Sequence, residues 1–480
     1  MAFEIKEKCA VAAAITSSED INAAELVYES LIAMQHRGPE ASGIVCESST
    51  GDLQSKKGLG LVVDVFDKPA RMRLIGNMAV GHNRYSTSGA KDSHVQPFED
   101  PAIGFALSLN GNLPVTDRLE KFLSSKNIRT AYANDTEMAG LAISQFLREG
   151  LDLPQAIERA YPLMTGAFSC VAMHNSQLVA FRDAYGIRPL AIGKIDHGYS
   201  VASETCGLDI NDSAYVREVD PGEMVIITNS ELESQKIAIA ESKLDIFEFV
   251  YFARHDSMLY GQRVNEVRRR SGEQLFKEHP PRQDKVDNLI IVPVPDTSIP
   301  AAEGYANQLG LNSTSAIIKN RYIGRTFMQP INSERNKNLR RKHNTIPEVI
   351  DGKDVILIDD SIVRLNTMPR LVELTYLSGA RSVTVLIASP PVRFPDFYGI
   401  DTPDQIELAA ANLTIEQMRQ KMGEEKKCIY LGFLSLSGLI KATNLPDYMY
   451  NLSCFTGEYP IDIGDRKRDI FKPSDMSGVE

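Results

Sequence analysis

One segment constrains the fold of this chain more than any other, because four consecutive apolar residues run directly into two acids. The segment is Val355–Ile358 followed by Asp359 and Asp360, and a short loop and a helical pattern come after it. An apolar run without alternation is typical of a strand buried on both faces of a parallel sheet. In such sheets ligands bind beyond the carboxyl ends of the strands, where two carboxylates suit ribose hydroxyls or a magnesium ion, and the next loop suits a phosphate. Taken alone, an acid pair of this kind more often only caps the strand and the next helix.

The two halves of the chain have different strand patterns. In the second half, LIIVPVP, VILIDD and SVTVLIASPP alternate with helical patterns, which indicates an α/β domain around a parallel sheet. The first half has many short strand-like runs and two helical patterns, one of them beginning at Asn134 or Asp135, which indicates a layered α+β domain. We place the boundary in the charged segment 231–245 and predict domains over 9–240 and 241–465, with a polar tail over 466–480.

Length, charge and cysteine usage limit the possible classes. A chain of 480 residues is too long for one core. The 52 basic and 63 acidic residues give a net charge of -11, which argues against a nucleic-acid-binding protein. No stretch reaches the roughly 18 to 20 apolar residues of a membrane span, and the N-terminus makes a poor signal peptide. The six cysteines are scattered without a CxxC pair, which favours a reduced, cytoplasmic setting.

Motifs in both halves together resemble one family. The surroundings of the acid pair resemble the type I phosphoribosyltransferase signature, and the wider context is similar to the glutamine phosphoribosylpyrophosphate amidotransferases. The matching segments of the second half are YFARHDS (251–257), PVPDTSIPAAEGYA (293–306), IKNRYIGRTFMQP (318–330), RRKHN (340–344), VILIDDSIVR (355–364) and SCFTGEYP (453–460). Those of the first half are QHRG (35–38), GHNRYST (81–87), NGN (110–112), NDTE (134–137), FRDAYGIRPLAIG (181–193) and VASETC (201–206). The resemblance implies an α+β N-terminal-nucleophile hydrolase of αββα layers, a class II glutamine amidotransferase domain, followed by an α/β type I phosphoribosyltransferase domain.

The resemblance assigns the phosphoribosyl site to residues around the acid pair. Asp359 and Asp360 are expected to hold the ribose hydroxyls, while Ser361 and Thr367 bind the 5′-phosphate. Lys342 is expected on a loop that adds positive charge as phosphoribosylpyrophosphate is enclosed. Closure over the substrate would exclude water from an oxocarbenium-like transition state.

The resemblance also assigns the nucleophile of the first half. Cys9 would attack the glutamine amide, with its own α-amino group, of pKa near 8, as the base. This requires the removal of residues 1–8 as a propeptide. Taken alone, Cys9 would more readily be a small buried apolar residue.

Glutamine itself is expected to bind to residues of three of the matching segments. Arg84 would pair with the α-carboxylate, for which the planar guanidinium is suited, and Asp135 would take the α-ammonium group. Thr87 is a further glutamine-binding candidate. Asn110 and the backbone N–H of Gly111 would form the oxyanion hole.

The chain departs from the family pattern at both sites. Leu365 and Asn366 stand where the family usually has Gly-Thr, so the freedom of a glycine beside the phosphate is lost. Ala10 follows the nucleophile in place of glycine, and Leu109 precedes Asn-Gly-Asn in place of histidine. None of these changes deletes a reactive group.

Cofactor expectations also follow from the resemblance. Magnesium would lie near Thr297 or Ser298 and the two aspartates. Some family members bind an iron–sulfur cluster through four cysteines, but a cluster needs several thiolates, and we predict none here. The positions that match those ligands are Asp245, Asp396, Asn451 and Cys454.

Two functional hypotheses remain at this stage. In the first, the chain transfers ammonia from glutamine to phosphoribosylpyrophosphate, which gives 5-phosphoribosylamine and opens purine synthesis, with Arg37 and Tyr251 coupling the two sites. A homodimer or homotetramer is expected, purine nucleotides are possible inhibitors, and neither nucleic acid nor membrane is a partner. In the second, the chain is a diverged paralogue with a lost or altered phosphoribosyl half-reaction, which acts as a regulator or on another phosphorylated sugar.

Overall fold

The computed structural model describes residues 6–7, 9–18, 20–48, 50–84, 94–281, 288–320, 343–402, 404–423 and 427–473. Its first half contains the strands β1 (Lys6–Glu7), β2 (Ala10–Thr16), β3 (Ala41–Glu47), β4 (Leu53–Leu59), β5 (Met78–Arg84), β6 (Phe98–Asp100), β7 (Phe105–Val115), β8 (Thr165–His174), β9 (Gln177–Arg182), β10 (Ala191–Ile195), β11 (Gly198–Ala202), β12 (Ala214–Glu218), β13 (Glu223–Ile227) and β14 (Leu232–Lys236). Its helices are α1 (Ala23–Ala33), α2 (Val62–Val65), α3 (Lys68–Arg71), α4 (Asp117–Ser125), α5 (Asp135–Arg148), α6 (Leu153–Ala160) and α7 (Cys206–Asp209).

These strands form two antiparallel sheets packed face to face. The first sheet has the order β12-β10-β11-β2-β5-β3-β4, and the second has the order β14-β13-β9-β8-β7-β6. Val11 and Val80 of the first sheet share a buried apolar cluster with Val171 and Val225 of the second. Helix α1 covers the outer face of the first sheet, and α4 to α6 cover that of the second. The expected αββα layering is therefore confirmed.

The second half contains the strands β15 (Leu244–Asp245), β16 (Met258–Leu259), β17 (Gln262–Arg263), β18 (Leu289–Pro293), β19 (Ile317–Lys319), β20 (His343–Thr345), β21 (Asp354–Asp359), β22 (Ser382–Ile387), β23 (Ile400–Asp401), β24 (Cys428–Phe433) and β25 (Tyr450–Asn451). Its helices are α8 (Val264–Glu278), α9 (Ile299–Asn307), α10 (Pro347–Ile350), α11 (Met368–Leu377), α12 (Ala409–Asn412), α13 (Ile415–Lys421), α14 (Leu436–Thr443) and α15 (Ser453–Thr456), and a π-helical turn spans Glu248–Phe252.

A parallel sheet of the order β18-β21-β22-β24 organises this half. Successive residues of β21 point to opposite faces, so Ile356 and Ile358 pack with α8 and α9, and Val355 and Leu357 pack with α11 and α13. Both faces are covered, as the unalternating apolar run predicts, and the α/β expectation is confirmed. No helix in the described ranges is both long and apolar enough to cross a membrane.

Local capping follows the sequence closely at the N-terminus of α5. The side chain of Asn134 accepts a hydrogen bond from the backbone N–H of Glu137, and the Glu137 side chain accepts one from the N–H of Asn134. This reciprocal cap makes Asn134 the N-cap and leaves Asp135 as the first helical residue of α5.

Candidate active sites

Cys9 lies at the end of the first sheet, directly before β2, and is 7% exposed. Strand β2 pairs with β5 so that Ala10 lies opposite Asn83, and this register brings Cys9 and Arg84 to the same end of the sheet. The N–H of Cys9 donates to the carbonyl oxygen of Arg37 at 3.4 Å. The φ angle of Cys9 is +94°, a region that costs a residue with a Cβ about 1–2 kcal/mol.

The expected oxyanion residues lie on β7 of the second sheet. Asn110 is fully buried, and its Nδ2 lies 3.4 Å from Oγ of Ser203, which also accepts a hydrogen bond from the N–H of Val11 at 2.9 Å. Ser203 therefore ties Asn110 to the strand that follows Cys9. The Oδ1 atom of Asn110 is buried and has no hydrogen-bond partner within the described ranges. Gly111 has φ +144°, and a Cβ there would lie 2.0 Å from the carbonyl oxygen of Ala167, so only glycine fits.

The remaining glutamine-site residues lie around the same strand ends. Asp135 accepts a hydrogen bond from the N–H of Leu113 at 3.0 Å, which places its carboxylate beside the chain just past Gly111. Arg84 is partly buried, and its Nη1 donates to the carbonyl oxygen of His94 at 2.6 Å. Thr87 lies outside the described residues.

A cleft of about 820 Å³ opens beyond the carboxyl end of β21. Asp360 is 8% exposed, and it accepts hydrogen bonds from the hydroxyl of Thr297 and, at 2.7 Å, from Oγ of Ser361. Thr367 is the residue before α11, so the loop from Asp359 to Thr367 runs along the cleft into a helix N-terminus. The cleft is lined by Tyr251, Val294–Thr297, Lys319, His343 and Asp359–Met368.

One other expected phosphoribosyl-site residue, Ser298, does not line this cleft. Ser298 is 1% exposed, and its hydroxyl donates to the carbonyl oxygen of Val294 at 2.5 Å. Lys342 lies outside the described residues. A lysine that sequence reasoning missed, Lys319, lines the cleft instead, with its Nζ 3.4 Å from Oδ2 of Asp296.

Two of the residues that depart from the family pattern, Leu109 and Ala10, direct their side chains away from the candidate glutamine site. The side chains of Leu109 and Ala10 are buried in the apolar cores on the outer faces of their sheets. The backbone of Leu109, unlike its side chain, is fixed by polar contacts. Its N–H donates to Gln96, and its carbonyl oxygen lies 3.2 Å from Nε2 of His82. Burial, and then the charge of Arg84, lowers the pKa of His82 to about 3, so this imidazole is neutral.

Leu365 is different, because it lines the cleft. Its φ angle is +56°, the left-handed conformation that a glycine would adopt easily. The loop thus keeps a glycine-like backbone and adds a side chain that packs partly against the apolar core of the parallel sheet.

Known proteins of one family match almost the whole length of this chain. The amidophosphoribosyltransferase of Synechococcus elongatus is 40% identical over 467 residues, which is 95% of this chain and 92% of that protein. The amidophosphoribosyltransferase of Archaeoglobus fulgidus is 37% identical over 447 residues, which is 92% of this chain and 95% of that protein. This chain belongs to the amidophosphoribosyltransferase family.

Two further comparisons agree with this family. A family model described as a glutamine amidotransferase domain matches residues 82–209. The solved structure of the glutamine phosphoribosylpyrophosphate amidotransferase of B. subtilis, complexed with ADP and GMP, superposes with a TM-score of 0.86 at 35% identity, over 95% of this chain and 98% of that one. The order of the two domains is therefore that of the amidophosphoribosyltransferases.

A buried arginine connects the candidate glutamine site with the domain junction. Arg37 is fully buried, and its Nε donates to the carbonyl oxygen of Cys9 at 3.3 Å. Its Nη atoms donate to Glu204 at 2.5 Å and to both carboxylate oxygens of Glu248 at 2.9 and 3.0 Å. Glu248 and the cleft residue Tyr251 belong to the same π-helical turn. Glu204 lies inside a matching segment and Glu248 lies just before one, but Arg37 is too distant from both in sequence for any pattern to predict that it pairs with them.

Two other buried arginines hold this turn. Arg268 of α8 donates to the carbonyl oxygens of Phe249 at 2.8 Å and Ala253 at 2.9 Å. Arg188 lies 2.8 Å from Glu248 and 3.1 Å from Asp245. The turn is therefore fixed by charges from both domains.

The positions that match cluster ligands in other members do lie together. Asp245 is paired with Asn451 between the short strands β15 and β25. Burial, and then the charge of Asp396, raises the pKa of Asp245, whose carboxylate binds Arg188. Within the described ranges no group of three or more His, Cys, Asp or Glu residues has the arrangement of a metal site. The absence of an iron–sulfur cluster stays a prediction from the ligand types.

Proposed function

We propose that this chain releases ammonia from glutamine at Cys9 and transfers it to phosphoribosylpyrophosphate bound at Asp359 and Asp360. The product is 5-phosphoribosylamine, and its formation is the first step of purine synthesis. The observation that carries the proposal is the π-helical turn, because its Glu248 binds Arg37 beside Cys9 and its Tyr251 lines the cleft of the paired aspartates. Arg37 and Tyr251 are the residues that couple the two sites.

The first half-reaction is a thiol-dependent amide hydrolysis. The Cys9 thiolate attacks the amide carbon of glutamine, ammonia leaves with a proton, and water then cleaves the thioester to glutamate. After removal of residues 1–8, the α-amino group of Cys9 accepts the thiol proton.

Asn110 and Gly111 stabilise the tetrahedral intermediate. In the observed orientation, the amide of Asn110 leaves Oδ1 without a partner. Rotating this amide by half a turn lets the hydroxyl of Ser203 donate to Oδ1 and presents Nδ2 to the substrate as an oxyanion donor. Arg84 and Asp135 take the carboxylate and ammonium groups of glutamine, and Thr87 is a further glutamine-binding candidate.

The second half-reaction takes place in the cleft. Asp359 and Asp360 accept hydrogen bonds from the ribose hydroxyls, while Ser361 and Thr367 bind the 5′-phosphate near the N-terminus of α11. Ammonia forms the new bond to C1 of the ribose as pyrophosphate leaves with the old bonding pair. Lys342 and Lys319 add positive charge as the substrate is enclosed.

Magnesium fits the donor types of this cleft. Thr297, Asp359 and Asp360 offer hydroxyl and carboxylate oxygens, which are the ligands that this cation prefers. When bound, magnesium supplies positive charge that stabilises the leaving pyrophosphate. Ser298 remains a weaker candidate, since its hydroxyl is already bonded to Val294.

The proposal also includes the regulation and the assembly of this chain. The B. subtilis relative was solved in complex with ADP and GMP, and we propose that purine nucleotides inhibit this chain as well. A homodimer or homotetramer, a cytoplasmic setting and domains over 9–240 and 241–465 remain predictions.

Glutamate release with and without phosphoribosylpyrophosphate tests the proposal. We expect this ligand to stimulate release, and Cys9→Ala to abolish release while synthesis from ammonium salts continues. Cys46→Ala is the matched control, because this buried thiol has a pKa raised by burial to about 12 and lies away from the site. Intact-mass measurement should show that residues 1–8 are lost.

The diverged-paralogue hypothesis predicts a different result. Glutamate release would then be indifferent to phosphoribosylpyrophosphate, or synthesis would fail even with ammonium salts. The similarity to amidophosphoribosyltransferases extends over 95% of the chain, which favours the complete reaction.

A further inference from the structure

A segment of the C-terminal domain contacts the oxyanion strand of the N-terminal domain. We call residues Asp396–Gly399 the brace. The carbonyl oxygen of Phe397 accepts a hydrogen bond from Nδ2 of Asn112 at 2.8 Å. A Cβ at Gly399 would lie 3.2 Å from Cα of Gly111, so these two glycines pack directly against each other.

The brace is itself held firmly. Tyr398 is fully buried, its N–H donates to Asp396 at 2.8 Å, and its hydroxyl donates to the carbonyl oxygen of Ile461 at 2.5 Å. The ring of Tyr398 shares an apolar cluster with Ala167 and Ile187 of the N-terminal domain. Ala167 is the partner of Asn112 on the neighbouring strand β8, so the brace contacts both β7, which carries the oxyanion residues, and the strand that pairs with it.

The oxyanion strand has a local weakness at this point. The register between β7 and β8 shifts between Asn112 and Val115, so the regular pairing of the two strands ends at Asn112, one residue past Gly111. A glycine at φ +144° has few steric restraints of its own. The contacts from Phe397 and Gly399 lie at this end of the ladder and restrain the backbone that carries the N–H group of Gly111.

We infer that the brace is a positioning element through which the C-terminal domain completes the glutamine site. It fixes the backbone of Gly111 and Asn112 so that the N–H of Gly111 points to the oxyanion. This inference rests on the proposed function, because it assigns no chemistry of its own to the brace. It adds that the isolated N-terminal fold has an incompletely ordered oxyanion hole.

Gly399→Ala tests the contact in the full chain. The new methyl group lies within 3.2 Å of Gly111, and φ is +121°, so the brace and Gly111 must move apart. Loss of one oxyanion donor lowers kcat by about 100- to 1,000-fold, and we expect its displacement to lower the kcat of glutamate release by about 10-fold. The KM for glutamine and synthesis from ammonium salts should stay unchanged.

Two further variants separate positioning from general damage. Asn112→Asp keeps the size of the side chain but removes the donor to Phe397, and the same selective loss of kcat is expected. Gly352→Ala is the matched control, because this glycine of the C-terminal domain also has a positive φ of +69° but has no atom within 4 Å of the added Cβ.

The outcomes are distinguishable. Suppose that the unmodified chain releases glutamate and that Gly399→Ala and Asn112→Asp do so with the same kcat as the control Gly352→Ala. The brace then has no positioning role. If both variants lose glutamate release and ammonium-dependent synthesis in parallel, the contact supports the fold only, and the inference is again overturned. If the unmodified chain has neither activity, the proposed function fails first.

Discussion

The glutamine site and the phosphoribosyl cleft differ in how their reacting groups are supported. Cys9 and Asn110 are at most 7% exposed and lie on or beside strands of two packed sheets. Asp359 and Asp360 instead begin a loop that runs along an open cleft of about 820 Å³. Amide hydrolysis requires fixed donors around a small intermediate, whereas a large anionic sugar must enter before it is enclosed. The first site is therefore pre-organised by the fold, and we expect the second to be completed by its substrate.

The largest expected effect comes from changing the open site alone. Asp360→Asn removes a charged acceptor, which is worth about 3 kcal/mol, so synthesis from either glutamine or ammonium salts should fall by about 100-fold. Glutamate release without phosphoribosylpyrophosphate should persist, because the glutamine site does not use this residue. Asp447→Asn, an exposed change in the same domain, is the control. Loss of basal glutamate release in Asp360→Asn would contradict the separation of the two sites.

A change between the sites should weaken their connection. Glu248→Gln leaves Arg37 and Arg188 facing a neutral amide in a buried position, so we expect the free energy of unfolding to fall by about 3 kcal/mol. Stimulation of glutamate release by phosphoribosylpyrophosphate should be lost, as measured by the ratio of stimulated to basal rates. Glu416→Gln removes only an exposed partner of Arg419 and should change neither quantity. Retained stimulation in Glu248→Gln would show that coupling uses another route.

The pre-organised site should also be the acid-sensitive one. His82 has a folded-state pKa lowered to about 3, below the ordinary 6.5, so the unfolded chain binds the extra proton first as pH falls. The stabilising contribution of neutral His82 is present above pH 6.5 and is lost by about 1.4 kcal/mol per pH unit as pH falls towards 3. Denaturant unfolding at several pH values should show a shallower acid dependence for His82→Gln than for the unmodified chain. Equal slopes would mean that His82 is not buried as a neutral group.

The smallest effect concerns the leucine of the open site. Leu365→Gly removes a side chain from the cleft and relieves a left-handed backbone, while it adds flexibility to the unfolded chain. Stability should therefore change little, and the KM for phosphoribosylpyrophosphate should fall by about 3-fold, a gain of well under 1 kcal/mol. Asn444→Gly, at a left-handed helix end with φ +57° away from the cleft, is the control. A raised KM would instead show that Leu365 contacts the substrate favourably.

Much of the candidate site could be predicted because its residues are close together in sequence. Asp359, Asp360 and Ser361 follow a strand whose apolar run is readable, and the cap at Asn134 is set by its own neighbours. The structure assigns less importance to Leu109 and Ala10 than their sequence positions suggest, because strand alternation turns their side chains into the cores. That alternation depends on which face of each sheet meets the other, which a single strand does not specify.

The sequence by itself determined the order of the two domains, the strand that ends in paired acids and the reactive groups at each site, since each of these depends on local pattern and residue type. Only the tertiary structure decided that Arg37 binds Glu204 and Glu248. It also decided that Lys319 lines the cleft while Ser298 does not, and that the brace contacts Gly111. These contacts join residues that are far apart in the chain, such as Asn112 and Phe397, which are separated by 285 positions. Their formation depends on how two whole domains pack, because burial of shared apolar surface, and not any local preference, brings such groups together.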